Sequence, residues 1–205
     1  MNKKLFPLAA LSSALLLLSG CASYHANSLN TLSSESITQA SHSKSNDITI
    51  GAKAFNKLDC KRFLDRDVLR KGYQPIQLYI QNNSDKNYVF SLNRLSLPYA
   101  APEEVARTVH TSTVGRVLGY GIPGLILAWP LVIPAVVDGI KSSEANEALD
   151  MDFYAKTAKE DQIIAPHSHF NKLIFVDAYE YQSHFTLTLI DQESKKEEIF
   201  HIISG

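Results

Sequence analysis

Between Arg116 and Asp138 the chain runs for 21 residues, 117–137, without a charged side chain, in the middle of the sequence rather than at an end. As one continuous helix this run would be about 31 Å long at about 1.5 Å per residue, the thickness of a hydrocarbon core. Taken alone it predicts a membrane span, but two features oppose a straight crossing. Pro123, Pro130 and Pro134, with Gly119, Gly121 and Gly124, interrupt or kink a helix, because proline lacks an amide proton and its ring clashes with the preceding turn. The second feature is topological: the segments on either side read as strands, and strands on opposite sides of a bilayer cannot pair.

The strand signal is a hydrophobic period of two, the mark of half-buried strands. Ile76, Leu78 and Ile80 alternate with Gln77, Tyr79 and Gln81 before the turn Asn82-Asn83-Ser84-Asp85. Residues 86–97 place Tyr88, Phe90 and Leu92 on one face, so these two segments are expected to form a hairpin, closed by Pro98. Residues 162–165, 171–176 and 185–190 read as three further strands; in the last, Phe185, Leu187 and Leu189 alternate with Thr186, Thr188 and Ile190. Residues 197–203 are apolar on both faces, as in a central or closing strand, and a weak strand over 47–54 brings the total to about seven. Short strands without βαβ alternation predict a mainly β chain: an antiparallel immunoglobulin-like sandwich with an inserted hydrophobic α-helical hairpin. Phe63, Leu64, Val68 and Leu69 recur at helical spacing and predict a short helix between Asp59 and Gly72.

If the strands before residue 98 and after residue 162 share one body, the apolar run must leave and return on the same side. The matching geometry is a hairpin inserted at about 101–150, with one arm over 102–119, a turn in Gly121-Ile122-Pro123-Gly124 and a returning arm over 125–150. Pro102 suits a first helical position, and Glu103 and Glu104 suit the positive end of the helix dipole. Gly115 and Gly119, four apart, allow close backbone approach, while Tyr120 and Trp129 suit a lipid–water boundary. With Leu125 at the start of the second arm, these residues form the expected membrane or partner contact. Folding back over the sandwich, shallow membrane insertion, and packing on an envelope protein or a second copy remain open at this stage, but something must cover so large an apolar surface.

The N-terminus states where the domain goes. Lys3 and Lys4 precede an apolar stretch over 5–18 that is shorter than a stable span, followed by small residues, as in a cleaved secretory signal. Leu18-Ser19-Gly20-Cys21 resembles the lipobox of bacterial lipoproteins cut by the dedicated lipoprotein signal peptidase. That resemblance covers the leader alone. It implies a signal peptide over 1–20, a diacylglycerol on the sulfur of Cys21 and a further acyl chain on its amine, an anchor made permanent by about 0.8 kcal/mol per buried methylene. It also implies outer-membrane sorting, since Ala22 stands where an aspartate favours inner-membrane retention. From Ala22 to Asn46 the composition is too polar to offset chain entropy, so 21–46 is expected to be a lipidated flexible tether to a domain over 47–205.

Removing the two leader lysines takes the formal charge from −1 to −3, too mild to attract an acidic polymer, and nucleic acid is not an expected partner. With Cys21 acylated, Cys60 has no partner within the chain. It reads as a small buried residue ahead of an intermolecular disulfide. His167 and His169, two apart, are weak metal candidates on one strand face, with His184 or His201 as a third ligand; surface histidines without a ligand are the plainer reading. The acidic pairs Asp150/Asp152 and Asp65/Asp67 lack the glycine and distal glutamate of a calcium loop. No nucleophile elbow, phosphate-cradling loop or zinc ribbon is present. The expectation is therefore a non-enzymatic interaction module of the cell envelope, without cofactor, facing the periplasm from the outer membrane and touching the membrane through its lipid. A ligand-binding protein or hydrolase with a site between hairpin and sandwich, and a subunit of a secretion or transport complex, are the alternatives.

Overall fold

A computed structural model of the chain describes residues 23–32, 47–111 and 132–205, with backbone only for 132–141. Seven strands form two antiparallel sheets. The first sheet joins β1 (Ile48–Ala54), β2 (Tyr73–Asn82) and β5 (Ser168–Asp177) in the order β1-β2-β5. The second joins β3 (Tyr88–Phe90), β4 (Gln162–Ile164), β6 (His184–Asp191) and β7 (Glu197–Ile203) in the order β4-β3-β6-β7. The described helices are α1 (Lys57–Leu64), α2 (Pro102–Thr108) and α3 (Val132–Lys156). Two compact units are distinguished: Met1–Tyr24 with His110–Leu149, and His25–Val109 with Asp150–Gly205. The second unit contains both sheets.

The two-residue period translates directly into the core, because successive side chains of a strand point to opposite faces. Ile48, Ile50, Ile76, Leu78 and Ile80 of the first sheet share one buried cluster with Phe90, Ile164, Phe185, Leu187, Leu189 and Phe200 of the second. The expected hairpin between residues 76–80 and 86–97 is corrected: β2 pairs with β1 and β5, whereas β3 pairs with β4 and β6. The turn passes between sheets because Asn82 is fully buried there and saturated. Its Nδ2 donates to the carbonyls of Lys86 (2.7 Å), Ile164 (3.2 Å) and Ala165 (2.9 Å), and its Oδ1 accepts from the amide and hydroxyl of Ser84.

Two-face apolarity belongs to β5 rather than to residues 197–203. Ile174 and Val176 enter the inter-sheet core, while Leu173 and Phe175, of opposite parity, are buried outside it. The Phe175 ring stacks on Phe153 of α3 at 5.5 Å, and nearby Phe55 meets Phe63 of α1 at 5.5 Å. Strand β7 is an edge strand whose outward Ile199 and Ile203 are exposed. Its end does close the body, through the pairing of Ser204 with Ala52 and the bond from the Ala54 amide to the Gly205 carbonyl.

Helix α1 begins in a reciprocal capping box: Asn56 Oδ1 accepts from the Leu58 and Asp59 amides, and Asp59 Oδ2 accepts from the Asn56 amide. The expected helix up to Gly72 is split, since α1 stops at Leu64 and a 3-10 turn, Leu69–Lys71, follows. Gly72 does end it, with φ of 89°, a left-handed value that glycine adopts without strain. Helix α2 ends at Thr108, short of the arm expected to reach Gly119. Within the first unit, Thr111 and Asn146 exchange two hydrogen bonds, at 2.8 and 3.2 Å.

Candidate interaction surfaces and the neck of the insertion

Cys21 and the expected contact residues Gly115, Gly119, Tyr120, Leu125 and Trp129 lie outside the described residues, as does most of the uncharged run. What the structure describes is the neck from which that run departs. Strand β3, before it, and β4, after it, pair as Tyr88↔Ile164, Val89↔Ile163 and Phe90↔Gln162. The amides of Ala100 and Ala158, one on each side of the insertion, donate to the Phe175 (2.8 Å) and Leu173 (2.9 Å) carbonyls of β5. Both ends are thus bonded to one strand, two residues apart.

Glu160 fastens the same neck from the side. Its Oε2 accepts from Ser91 Oγ (2.5 Å) and the Leu92 amide (3.1 Å), and its Oε1 from Tyr99 Oη (3.1 Å), all from chain preceding the insertion. The Ser91 bond, with help from Tyr99 and the Leu92 amide, holds its carboxyl below the usual carboxylate range against an opposing effect of partial burial. At the other end of β3, Lys86 at 2.8 Å holds the Asp191 carboxylate well below its ordinary range, with the Ser194 and Glu193 amides adding to the effect. No signal of pattern or propensity marked Glu160, and the turn that contains Asn82 did not reveal its bonds to Ile164 and Ala165, because these partners are distant in sequence.

The outward face of the second sheet is open. Val89 lies between Ile163 and Ile190, an aliphatic row across three strands, and on β7 Ile199 stands opposite Thr188, one pair along from Ile190 and Glu197. Ile163 and Ile199 are 58% and 61% exposed, so this face has no covering layer among the described residues. The outward face of the first sheet is covered instead. Part of the stretch expected to be a free tether lies on it: the Asn30 carbonyl accepts from Gln77 Nε2 (2.6 Å) and Asn171 Nδ2 (3.3 Å), and Leu32 is buried. The strap continues to α1, where the Asn27 amide donates to the Arg62 carbonyl (3.0 Å) and the His25 amide to Asp65 Oδ2 (3.0 Å). Residues 33–46 lie outside the described residues.

The histidine pair does not converge. His167 precedes β5 in a turn, with φ of 51°, and its Nε2 lies 2.9 Å from Asp85, whereas the His169 ring stacks on Tyr79. His201 lies on β7 of the other sheet, and His184 Nδ1 meets the Ser183 hydroxyl. No group of three metal-ligating side chains occurs among the described residues. The acidic pairs are engaged locally: Asp152 pairs with Lys156, whose ammonium also bonds the Phe63 carbonyl at 2.7 Å, and Asp65 pairs with Lys61 and Arg66. Cys60 is fully buried, and desolvation, with Asp67 and Asp59 nearby, pushes its thiol up to about 12. Burial favours the small-buried-residue reading over an intermolecular disulfide, because another chain cannot reach the sulfur and desolvation opposes the thiolate that exchange needs.

No described helix is long and apolar enough to cross a membrane. No family model matches the chain, and no curated protein is detectably similar to it in sequence.

Proposed function

We propose that the chain is a cell-envelope lipoprotein, anchored through acylated Cys21 and facing the periplasm from the outer membrane, that acts as a non-enzymatic interaction module. In this reading the two-sheet body is an immunoglobulin-like sandwich, and it presents an apolar helical hairpin to a membrane or an envelope protein. Support for the sandwich comes from strand grouping: the first, second and fifth strands share one sheet and the third, sixth and seventh the other, as strands A, B, E and C, F, G do in that fold.

The observation that carries the proposal is the neck. Strands on either side of the uncharged run pair residue for residue, and Ala100 and Ala158 bond to the same strand. A single crossing would separate β3 from β4 by a bilayer, so the run makes a round trip from one body and its apolar surface becomes the part offered outward. The test compares the full mature chain carrying Cys21→Ser with a variant in which residues 112–131 are replaced by a short Gly-Ser linker. The unreplaced chain is expected to self-associate or to bind neutral vesicles and detergent, and the shortened one to remain a folded monomer that ignores both. If the unreplaced chain is itself a monomer indifferent to neutral lipid and detergent, the proposal fails.

A further inference from the structure

The chain's mild net charge hides a local excess of the opposite sign. Over residues 57–71 six basic side chains, Lys57, Lys61, Arg62, Arg66, Arg70 and Lys71, accompany three acidic ones, Asp59, Asp65 and Asp67, in a chain whose formal charge is −1. The two signs are also sorted by depth. Asp59 is buried against Lys53 and the Asn56 amide, Asp65 is held by Lys61, Arg66 and the His25 amide, and Asp67 accepts the Arg70 amide at 3.2 Å. Lys57, Lys61, Arg62, Arg70 and Lys71 are exposed. On α1, Lys57, Leu58, Lys61 and Arg62 fall on the solvent side, opposite buried Cys60, Phe63 and Leu64. Leu58 is 80% exposed, an apolar side chain standing on a basic helix face, which is the pattern of a helix that lies on a membrane surface.

A second, independent observation fixes where this face stands along the chain. Within the second unit the N-terminal strap lies against this same face, through the His25 amide on Asp65 and the Asn27 amide on the Arg62 carbonyl. From Cys21 to His25 is four residues, no more than about 14 Å of extended chain. We propose that the outer side of α1, with the loop to Lys71, rests on the anionic headgroups of the membrane that holds the acylated Cys21, the strap keeping it there. This inference rests on the reading of Cys21 as the lipid anchor. The ammonium and guanidinium groups meet lipid phosphates, Leu58 enters the headgroup boundary, and the basic face supplies the second attachment signal beside the acyl chains.

The test uses the full mature chain with Cys21→Ser, so that no acyl chain contributes, on phosphatidylcholine vesicles with and without phosphatidylglycerol. Binding to the anionic vesicles is expected to be at least about a hundredfold tighter than to the neutral ones, and that excess to disappear in high salt. The triple variant Lys57→Gln, Arg70→Gln, Lys71→Gln changes exposed side chains only. It is expected to weaken anionic binding about a hundredfold, at roughly fivefold per basic side chain, with binding to neutral vesicles and the thermal melt unchanged. Equal affinity for the two vesicles, an unaltered triple variant, or salt-sensitive retention by heparin without vesicle preference overturns the inference. Labelling of cells with an alkyne palmitate, with and without Cys21→Ser, reads the anchor separately, so its failure is distinguishable from that of the membrane-facing surface.

Discussion

The outward faces of the two sheets are built from the same alternation and meet opposite fates. On the first sheet Leu173 and Phe175 of β5 are fully buried, and Gln77 and Tyr79 of β2 nearly so, beneath the helices and the strap over 25–32. On the second sheet Thr186, Thr188 and Ile190 of β6 are only partly buried, and Ile163 and Ile199 beside them face solvent. A strand apolar on both faces acquires a second layer, whereas a strand with threonine on its outer face does not need one. The open sheet still has to avoid pairing through its edge. Glu198 points inward on β7, where it accepts from Tyr88 Oη, and an inward charge on an edge strand discourages pairing with another chain.

The contrast can be broken by substitution, and the largest effect is expected under the covered face. Phe175→Ala removes a fully buried ring stacked on Phe153 and should cost about 3–5 kcal/mol in urea unfolding. Ile199→Thr on the open face should stay within about 0.5 kcal/mol; losses of similar size at both positions would abolish the distinction. Asn82→Ala comes next, at about 2–3 kcal/mol, because the buried Ile164 carbonyl and the part-buried carbonyls of Lys86 and Ala165 lose their donor at once. A proportional fall in the urea midpoint without a change of slope would check it.

Glu160→Gln is expected to be the smaller of the polar effects, about 1 kcal/mol at neutral pH, since the carboxylate is exposed and its bonds are partly replaced by water. Its pH dependence sharpens the assignment. A carboxyl depressed in the folded state contributes fully above its unfolded value, about 4.3, and loses that contribution as pH falls through the folded value. The thermal stabilities of the parent and Glu160→Gln chains should therefore converge below about pH 4 and separate above it. A gap that persists unchanged at pH 3 would remove Glu160 as the clasp of the neck.

Strand positions were legible where period two survives, most plainly in β6, and the described residues hold seven strands where about seven were expected. Pairing was not. Residues 76–80 and 86–97 carry a good turn between them, yet the buried amide of Asn82 sends the chain to the other sheet, and a side chain's long-range acceptors leave no local trace. Apolarity on both faces was assigned to residues 197–203, where Glu197 to Ile203 looks denser than it packs, and missed in Leu173-Ile174-Phe175-Val176, whose continuous run is the stronger signal. The basic face of α1 escaped for a different reason: whole-chain charge averages over it, and only burial reveals that the acids of 57–71 turn inward. The strap escaped because composition measures what a segment can bury alone, not the hydrogen bonds that Gln77 and Asn171 offer it.

The measurement that reaches the central claim most directly is thiol accessibility on either side of the uncharged run. Asn83→Cys and Glu193→Cys replace exposed residues before and after it, and native Cys60 is buried, its thiol pushed up to about 12. In intact cells with a permeabilised outer membrane, both new thiols should react with a membrane-impermeant maleimide at matching rates. Reaction at one position with protection of the other until the inner membrane is opened would mean that the run crosses the bilayer once and that β3 and β4 do not share a body in the cell.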